Sequence, residues 1–310
     1  MTNRIVCFLL FVICTIEAHA QSPAVPEAAG IPRYAIDDTE VRTIRSTVLG
    51  REYPVFVALP ATYASQPNRR YPVVYVTDAN YAFPLLRAIS RRVGDNGKGL
   101  EDFILVGLAY ANGDTPEFSR RRDYTPTADG DKKAVSDMPG RKPAFGEAER
   151  YRVFLRDEVL PFVARNYRVD AARKTFAGHS YGGLLGTHML LTEPAMFERY
   201  VLTSPSLWWD DKAMLKRAKA YIASHDTLPA QVFMAIGGYE TVKPGSSDAR
   251  YYRSMDMVAD MRAFETTLQS RRYANFSIVS TVLADEDHLT VFPAALTRAL
   301  MWAVPPAARP

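Results

Sequence analysis

The chain has 310 residues, 47% of them hydrophobic and 23% charged, which is enough apolar material for one large core and excludes a disordered or fibrous protein. Its formal net charge of +4 is spread over 38 basic and 34 acidic residues, a balance that argues neither for a nucleic-acid partner nor for an anionic surface.

Residues 1–20 read as a signal peptide. Arg4 precedes the apolar run Ile5 to Ile16, which is too short to span a bilayer, and Ala18-His19-Ala20 supplies a small-residue cleavage pattern. The mature protein is therefore expected to be exported, periplasmic or secreted, with no stable membrane anchor. Both cysteines, Cys7 and Cys14, fall inside this segment, so disulfides, thiolate catalysis and cysteine-ligated metal are excluded from the mature chain.

Residues 21–38 are rich in Ala and Pro and read as a flexible lead-in, leaving 39–310 as one domain. Val41 to Thr47 and Tyr53 to Pro60 alternate apolar and polar residues around Leu49-Gly50-Arg51-Glu52, which predicts an antiparallel hairpin. Tyr71 to Asp78 is a continuous apolar strand, followed by an amphipathic helix over about 81–93 and a further strand from Phe103 to Tyr110. Strands and helices then alternate, so the expected architecture is α/β, a mainly parallel sheet of about eight strands with helices on both faces.

Periodicity fails between Ala111 and Gly146, which predicts a long functional loop carrying Arg120-Arg121-Arg122-Asp123-Tyr124-Thr125-Pro126. Glu147 to Tyr167 reads as a helix kinked by Pro161. A strand over 174–177 enters Gly178-His179-Ser180-Tyr181-Gly182-Gly183, and a buried helix follows to Leu191. Tyr200 to Ser204 is the next strand. It leads into Ser204-Pro205-Ser206-Leu207-Trp208-Trp209, whose paired tryptophans line a pocket or cap the core. A helix over 211–224, a strand over 231–236 ending in Gly237-Gly238-Tyr239-Glu240, a helix bearing Met257, Met261, Phe264 and Leu268, a strand over 276–284 and a final helix over 291–304 complete the chain.

Gly178-His179-Ser180-Tyr181-Gly182 has the spacing of a nucleophile elbow. A serine on a tight strand-to-helix turn needs very small residues two positions before and after it, because the strand and helix backbones converge there. A serine hydroxyl also needs a base, itself oriented by an acid. Of the four histidines beyond residue 20, His179 should project away from the serine, His188 should pack against the sheet, and His225 lies at the opposite strand edge. His288 alone follows a strand's C-terminal end beyond the serine, which makes it the expected base. Glu240, at the end of the preceding strand, ranks first as the acid, with Asp285 and Asp287 as alternatives. For the oxyanion, one amide is expected from Tyr181 and the second from Ala79 or Asn80.

Phe154-Leu155-Arg156-Asp157-Glu158-Val159-Leu160-Pro161, Gly178 to Leu184, Ser204 to Trp209 and Asp287-His288 together resemble the putative-esterase family of α/β-hydrolases over about residues 40–304. The resemblance lies closest to the branch of enterobactin and salmochelin siderophore esterases. It implies a serine carboxylic-ester hydrolase that needs no metal or cofactor, with Ser180 and His288 as nucleophile and base. Asp78-Ala79-Asn80 departs from the Asp-Gly-Asn form common in that family. The expected substrate is a small-molecule ester, a siderophore trilactone first. A carbohydrate-linked or short-chain carboxylester is the alternative, acyl transfer would use the same residues, and a non-catalytic binding protein is the reading from another class. Arg121, Arg122, Tyr124, Trp208 and Trp209 are the expected contacts to an anionic, aromatic-rich ligand. Oligomeric state has no signature in the sequence.

Overall fold

A computed structural model describes residues 34–94, 98–128, 130 and 133–306; the proposed signal peptide and most of the lead-in fall outside them. The compact unit is Ile36–Pro310. Its centre is one eight-stranded sheet in the order β1-β2-β4-β3-β5-β6-β7-β8. β1 (Thr39–Arg45) and β2 (Glu52–Ala58) form the expected hairpin, and β2 pairs antiparallel with β4 (Ile104–Leu108). β3 (Tyr71–Val76), β5 (Val169–His179), β6 (Arg199–Thr203), β7 (Ala230–Gly237) and β8 (Phe276–Leu283) continue the sheet in parallel from β4.

Helices cover both faces of this sheet, so its central strands must be apolar on both sides. In β3 every residue is buried. Val73 and Tyr75 join one core with β4's Ile104 and Val106, while Val74 and Val76 join a second core with Phe83 and Leu86 of helix α1 (Ala79–Gly94). Reversing the side-chain alternation by one residue would swap the two cores, which pins the register.

Two expectations need correction. The stretch after β4 is not structureless: Pro116–Tyr124 forms helix α2, with Thr115 accepting a hydrogen bond at 3.2 Å from the Phe118 amide as its N-cap and Pro116 in the first turn. The helix of residues 147–167 is divided, not just bent at the proline. α3 (Ala148–Phe154) and α4 (Leu160–Asn166) are joined by one π-helical turn over Leu155–Val159. Pro161 has no amide proton and its ring crowds the carbonyl of the preceding turn, so the backbone widens just before it.

Helix α5 (Tyr181–Leu190) leaves β5, α6 (Trp209–Ser224) follows β6, α7 (Met257–Ser270) precedes β8, and α8 (Val291–Ala303) ends the domain. Among the described residues no helix is long and apolar enough to cross a membrane.

Candidate active site

Ser180 occupies the turn between β5 and α5 with φ 59° and ψ −116°, a conformation that non-glycine residues adopt only under constraint. The constraint is visible on both flanks. A Cβ on Gly178 would lie 2.4 Å from the Gly182 carbonyl, and a Cβ on Gly182 would lie 2.2 Å from Thr77 Oγ1. Only glycine lets the strand, the helix and the end of β3 approach this closely. The Ser180 amide donates to the Thr203 carbonyl at 3.0 Å, which ties the turn to β6.

Ser180 Oγ lies 2.9 Å from His288 Nε2, and His288 Nδ1 lies 2.6 Å from Glu240 Oε2. An ionised carboxylate can only accept, so Nδ1 carries the imidazole proton and Nε2 is left to accept from the serine hydroxyl. Glu240 is fully buried, and its other oxygen accepts from Ser204 Oγ at 2.6 Å and from the Gly237 amide at 2.8 Å. Three donors therefore aim one carboxylate. The loop carrying His288 is fixed by Asp287, whose side chain accepts from the Leu289 and Thr290 amides at 2.8 and 3.0 Å. These amides hold the Asp287 carboxyl below its ordinary range. Asp287 thus stabilises the turn while Glu240 faces the imidazole; no hydrogen bond links Asp285 to His288 among the described contacts.

Two of the remaining histidines depart from expectation. His179 does not turn away from the serine region: its buried ring packs against His288, with centroids 4.7 Å apart, and against Phe292. Burial, then the proximity of His288 and Arg120, pushes its pKa down to about 3, so it is neutral. His188 is not held by the sheet alone. Its Nδ1 lies 2.9 Å from Arg217 and its Nε2 lies 3.0 Å from Glu149, a polar contact between α3 and α6. His225 stacks on Tyr221, away from the serine.

An open cleft of about 470 Å³ is lined in part by Ser180, His179 and His288. Tyr81 and Leu85 of α1 with Leu289, Phe292 and Pro293 at the start of α8 make an apolar wall; Tyr110, Pro116, Glu117 and Arg120 make the other side. A separate cavity of about 260 Å³, lined by Arg87, Glu101 and Phe103 among others, contains neither Ser180 nor His288.

Most of the expected substrate contacts are elsewhere. Arg122, Tyr124 and Trp209 are buried, at 3%, 1% and 1% exposure. Arg122 pairs with Asp123 at 2.7 Å and Asp114 at 2.6 Å; Trp209 Nε1 donates to Thr127 at 3.0 Å. Arg121 pairs with Glu117 and donates to the Val135 carbonyl. Trp208, half-buried, packs on Tyr181 with ring centroids 6.2 Å apart. Arg121, Arg122 and Tyr124 lie on α2, a helix where the sequence predicts a loop. In a helix, Pro116, Glu117 and Arg120 share one face, whereas Arg122 turns to the opposite one. Thr115-Pro116 carried the start signal that would have placed Arg120 in the cleft.

Arg120 is held by Asp78, 3.0 Å from its Nε, and Asp78 also accepts from the Tyr110 hydroxyl at 2.8 Å. Burial opposes the guanidinium charge, but Asp78 more than offsets it and keeps Arg120 above its ordinary pKa. Ala79, fully buried, and Asn80 begin α1 directly after Asp78, whose Oδ2 would lie 3.1 Å from a Cβ on Gly182.

A strained serine between β5 and α5, a carboxylate after β7 and an imidazole after β8, on this strand order, define an α/β-hydrolase with a serine-hydrolase site. The chain belongs to the putative esterase family, which matches residues 46–277, and it is a serine esterase. It is 29% identical to the ferri-bacillibactin esterase BesA of Bacillus subtilis over 88% of this chain and 92% of that one. It is 28% identical to the siderophore triacetylfusarinine C esterase of Aspergillus fumigatus, over 81% of this chain and 88% of that one. In fold it is similar to the siderophore hydrolase EstA of Aspergillus nidulans, with a TM-score of 0.71 at 23% identity over 90% of this chain and 99% of that one.

Proposed function

We propose that the mature protein is an exported esterase that hydrolyses aromatic trilactone siderophores through an acyl-enzyme on Ser180. The observation that carries this reading is the Ser180–His288–Glu240 relay, whose serine and histidine line a cleft with one apolar wall. Ser180 Oγ attacks the ester carbonyl while its proton passes to His288 Nε2. The imidazolium that forms is stabilised by Glu240, and the tetrahedral oxyanion is held by the amides of Tyr181 and of Ala79 or Asn80. Collapse expels the alcohol, which takes its proton from His288. Water then repeats the sequence, releases the acid and restores Ser180.

Tyr81, Leu85, Leu289 and Phe292 give an aromatic acyl group a surface on which to stack, a choice the relatives named as siderophore esterases support. The leader at residues 1–20 supports export. The test is a hydrolysis panel on the purified protein: catecholate trilactones, feruloyl and acetyl sugars, and p-nitrophenyl acetate. Trilactones should give the highest kcat/KM, and Ser180→Ala should lower it by roughly 10³-fold or more with unchanged circular dichroism. A preference for feruloyl sugars would overturn the substrate, and an active alanine variant would overturn the mechanism.

A further inference from the structure

The oxyanion hole in this reading takes its two amides from different parts of the chain, one at the start of α5 and one at the corner between β3 and α1. We propose that Arg120 is a positioning residue that fixes these two parts against each other. The inference rests on the serine-esterase mechanism above and adds a residue to it.

Asp78 immediately precedes the corner amides. It is fully buried and has φ 55°, in the left-handed region, so the corner keeps a conformation that a non-glycine residue holds only when its surroundings impose it. The imposing contacts are at the carboxylate. Oδ1 accepts from the Tyr110 hydroxyl at 2.8 Å and from Arg120 Nε at 3.0 Å, and Oδ2 accepts from Thr77 Oγ1 at 3.4 Å. The guanidinium carbon of Arg120 also lies 5.1 Å from the centroid of the Tyr181 ring, and the Tyr181 amide is the other donor.

One side chain therefore touches the residue that sets the corner and the residue that begins α5. Close packing makes the spacing sensitive: a Cβ on Gly182 would lie 3.1 Å from Asp78 Oδ2, so the two segments already meet with little slack. A shift of a few tenths of an ångström at Asp78 changes the distance between donors that act only when both reach one oxygen. Arg120 also lines the cleft, and the competing role is that of an anchor for the substrate. Its pairing with Asp78 argues for positioning, because the hydrogen-bonding edge at Nε is already engaged.

The two roles separate on a substrate with nothing for an arginine to anchor. For p-nitrophenyl acetate, Arg120→Gln should lower kcat by roughly 10- to 100-fold with KM within about threefold, and it should weaken inhibition by phenylboronic acid, whose tetrahedral adduct presents an oxyanion, by the same factor. Arg120→Lys keeps a charge for Asp78 but loses the planar face over Tyr181, so it should fold like the wild type and recover only part of kcat. This variant carries the test if the glutamine variant is unstable. Unchanged kcat on acetate with a raised KM for a large aromatic ester would overturn the proposal and make Arg120 an anchor; full kcat in the lysine variant would overturn it too. In either case an active wild type leaves the serine-esterase reading intact. A wild type inert to both p-nitrophenyl acetate and diisopropyl fluorophosphate would remove that reading and this inference together.

Discussion

Replacing Glu240 by Gln tests the relay at its most constrained point. The native carboxylate accepts three hydrogen bonds, from Ser204 Oγ at 2.6 Å and the Gly237 amide at 2.8 Å on one oxygen and from His288 Nδ1 at 2.6 Å on the other. A glutamine amide has one acceptor oxygen and one donor nitrogen, so two arrangements are open to it. With its oxygen toward Ser204 and Gly237, it presents N–H groups to His288. Nδ1 must then accept, Nε2 carries the proton, and a protonated Nε2 cannot take the hydrogen of Ser180. With the amide reversed, the Gly237 amide meets another donor at a fully buried site, which costs about 1–3 kcal/mol for the unsatisfied group. The first arrangement satisfies more groups and is the inactive one.

The analogous loss of the orienting carboxylate in serine proteases lowers kcat by about 10⁴, so we expect a fall of roughly 10² to 10⁴ for Glu240→Gln with KM little changed. Steady-state hydrolysis of p-nitrophenyl acetate across pH 6–9 measures it, with circular dichroism as the control for folding. Asp287→Asn should act mainly through the loop, since Asp287 holds the Leu289 and Thr290 amides and makes no hydrogen bond to the imidazole among the described contacts. A kcat within about tenfold of wild type for Glu240→Gln, or a larger loss for Asp287→Asn, would refute the assignment of Glu240 as the orienting acid.

Other consequences concern stability and substrate form. His179 and His188 have pKa values pushed down to about 3 and about 4, chiefly by burial, against the ordinary 6.5. The unfolded chain therefore binds more protons than the native one below pH 6.5, and each histidine should remove about 1.4 kcal/mol of stability by pH 5.5 relative to pH 8. Urea midpoints at the two pH values measure this, and His188→Gln should reduce the difference; an equal difference in the variant would contradict the buried neutral state. Arg122→Ala leaves buried Asp123 with only Arg51 at 3.6 Å and Asp114 with Arg141 alone, so it should cost about 3 kcal/mol in urea unfolding while leaving KM unchanged in the folded fraction. A raised KM with normal stability would return Arg122 to the substrate. Arg120, paired with Asp78, is the one guanidinium among the described cleft residues, and Glu117 adds a negative charge beside it. An iron-free catecholate trilactone, neutral at pH 7, should therefore be hydrolysed with kcat/KM about tenfold above that of its trianionic ferric complex. Equal or faster turnover of the ferric form would show that the cleft gains cationic character from elsewhere.

The parts of this fold legible in sequence are those in which one physical demand selects the residues. A strand covered on both faces has to be apolar at every position, so Tyr71 to Val76 and Phe103 to Leu108 stand out as uninterrupted runs. The elbow needs Gly178 and Gly182 for want of space, a demand independent of the rest of the chain. His288 follows from chain order once the serine is fixed, and Glu240 from its place at the end of the neighbouring strand, although the sequence leaves three candidate acids open and it is the 2.6 Å contact to His288 that supports Glu240. The cleft walls were not legible, because Tyr81, Arg120 and Leu289 come from three elements far apart in the chain and no local pattern links them.

Helix α2 is hidden in the sequence for a different reason. Helical periodicity is normally visible because the buried stripe is apolar, but here Ser119, Arg122 and Asp123 are among its buried residues, with Arg122 and Asp123 satisfying each other. A hydropathy pattern treats that pair as solvent-facing and erases the stripe. The same substitution of pairing for apolarity explains why three consecutive arginines have three separate fates. Arg120 holds Asp78 beside the proposed oxyanion corner, Arg121 meets Glu117 and a loop carbonyl, and Arg122 closes a buried cluster with Asp114 and Asp123. The helix rotates each guanidinium about 100° from the last, and an acid waits at each bearing. A run of like charge in sequence is therefore not by itself evidence of an anionic-ligand site; the acids its members face decide which of them is free to meet a substrate.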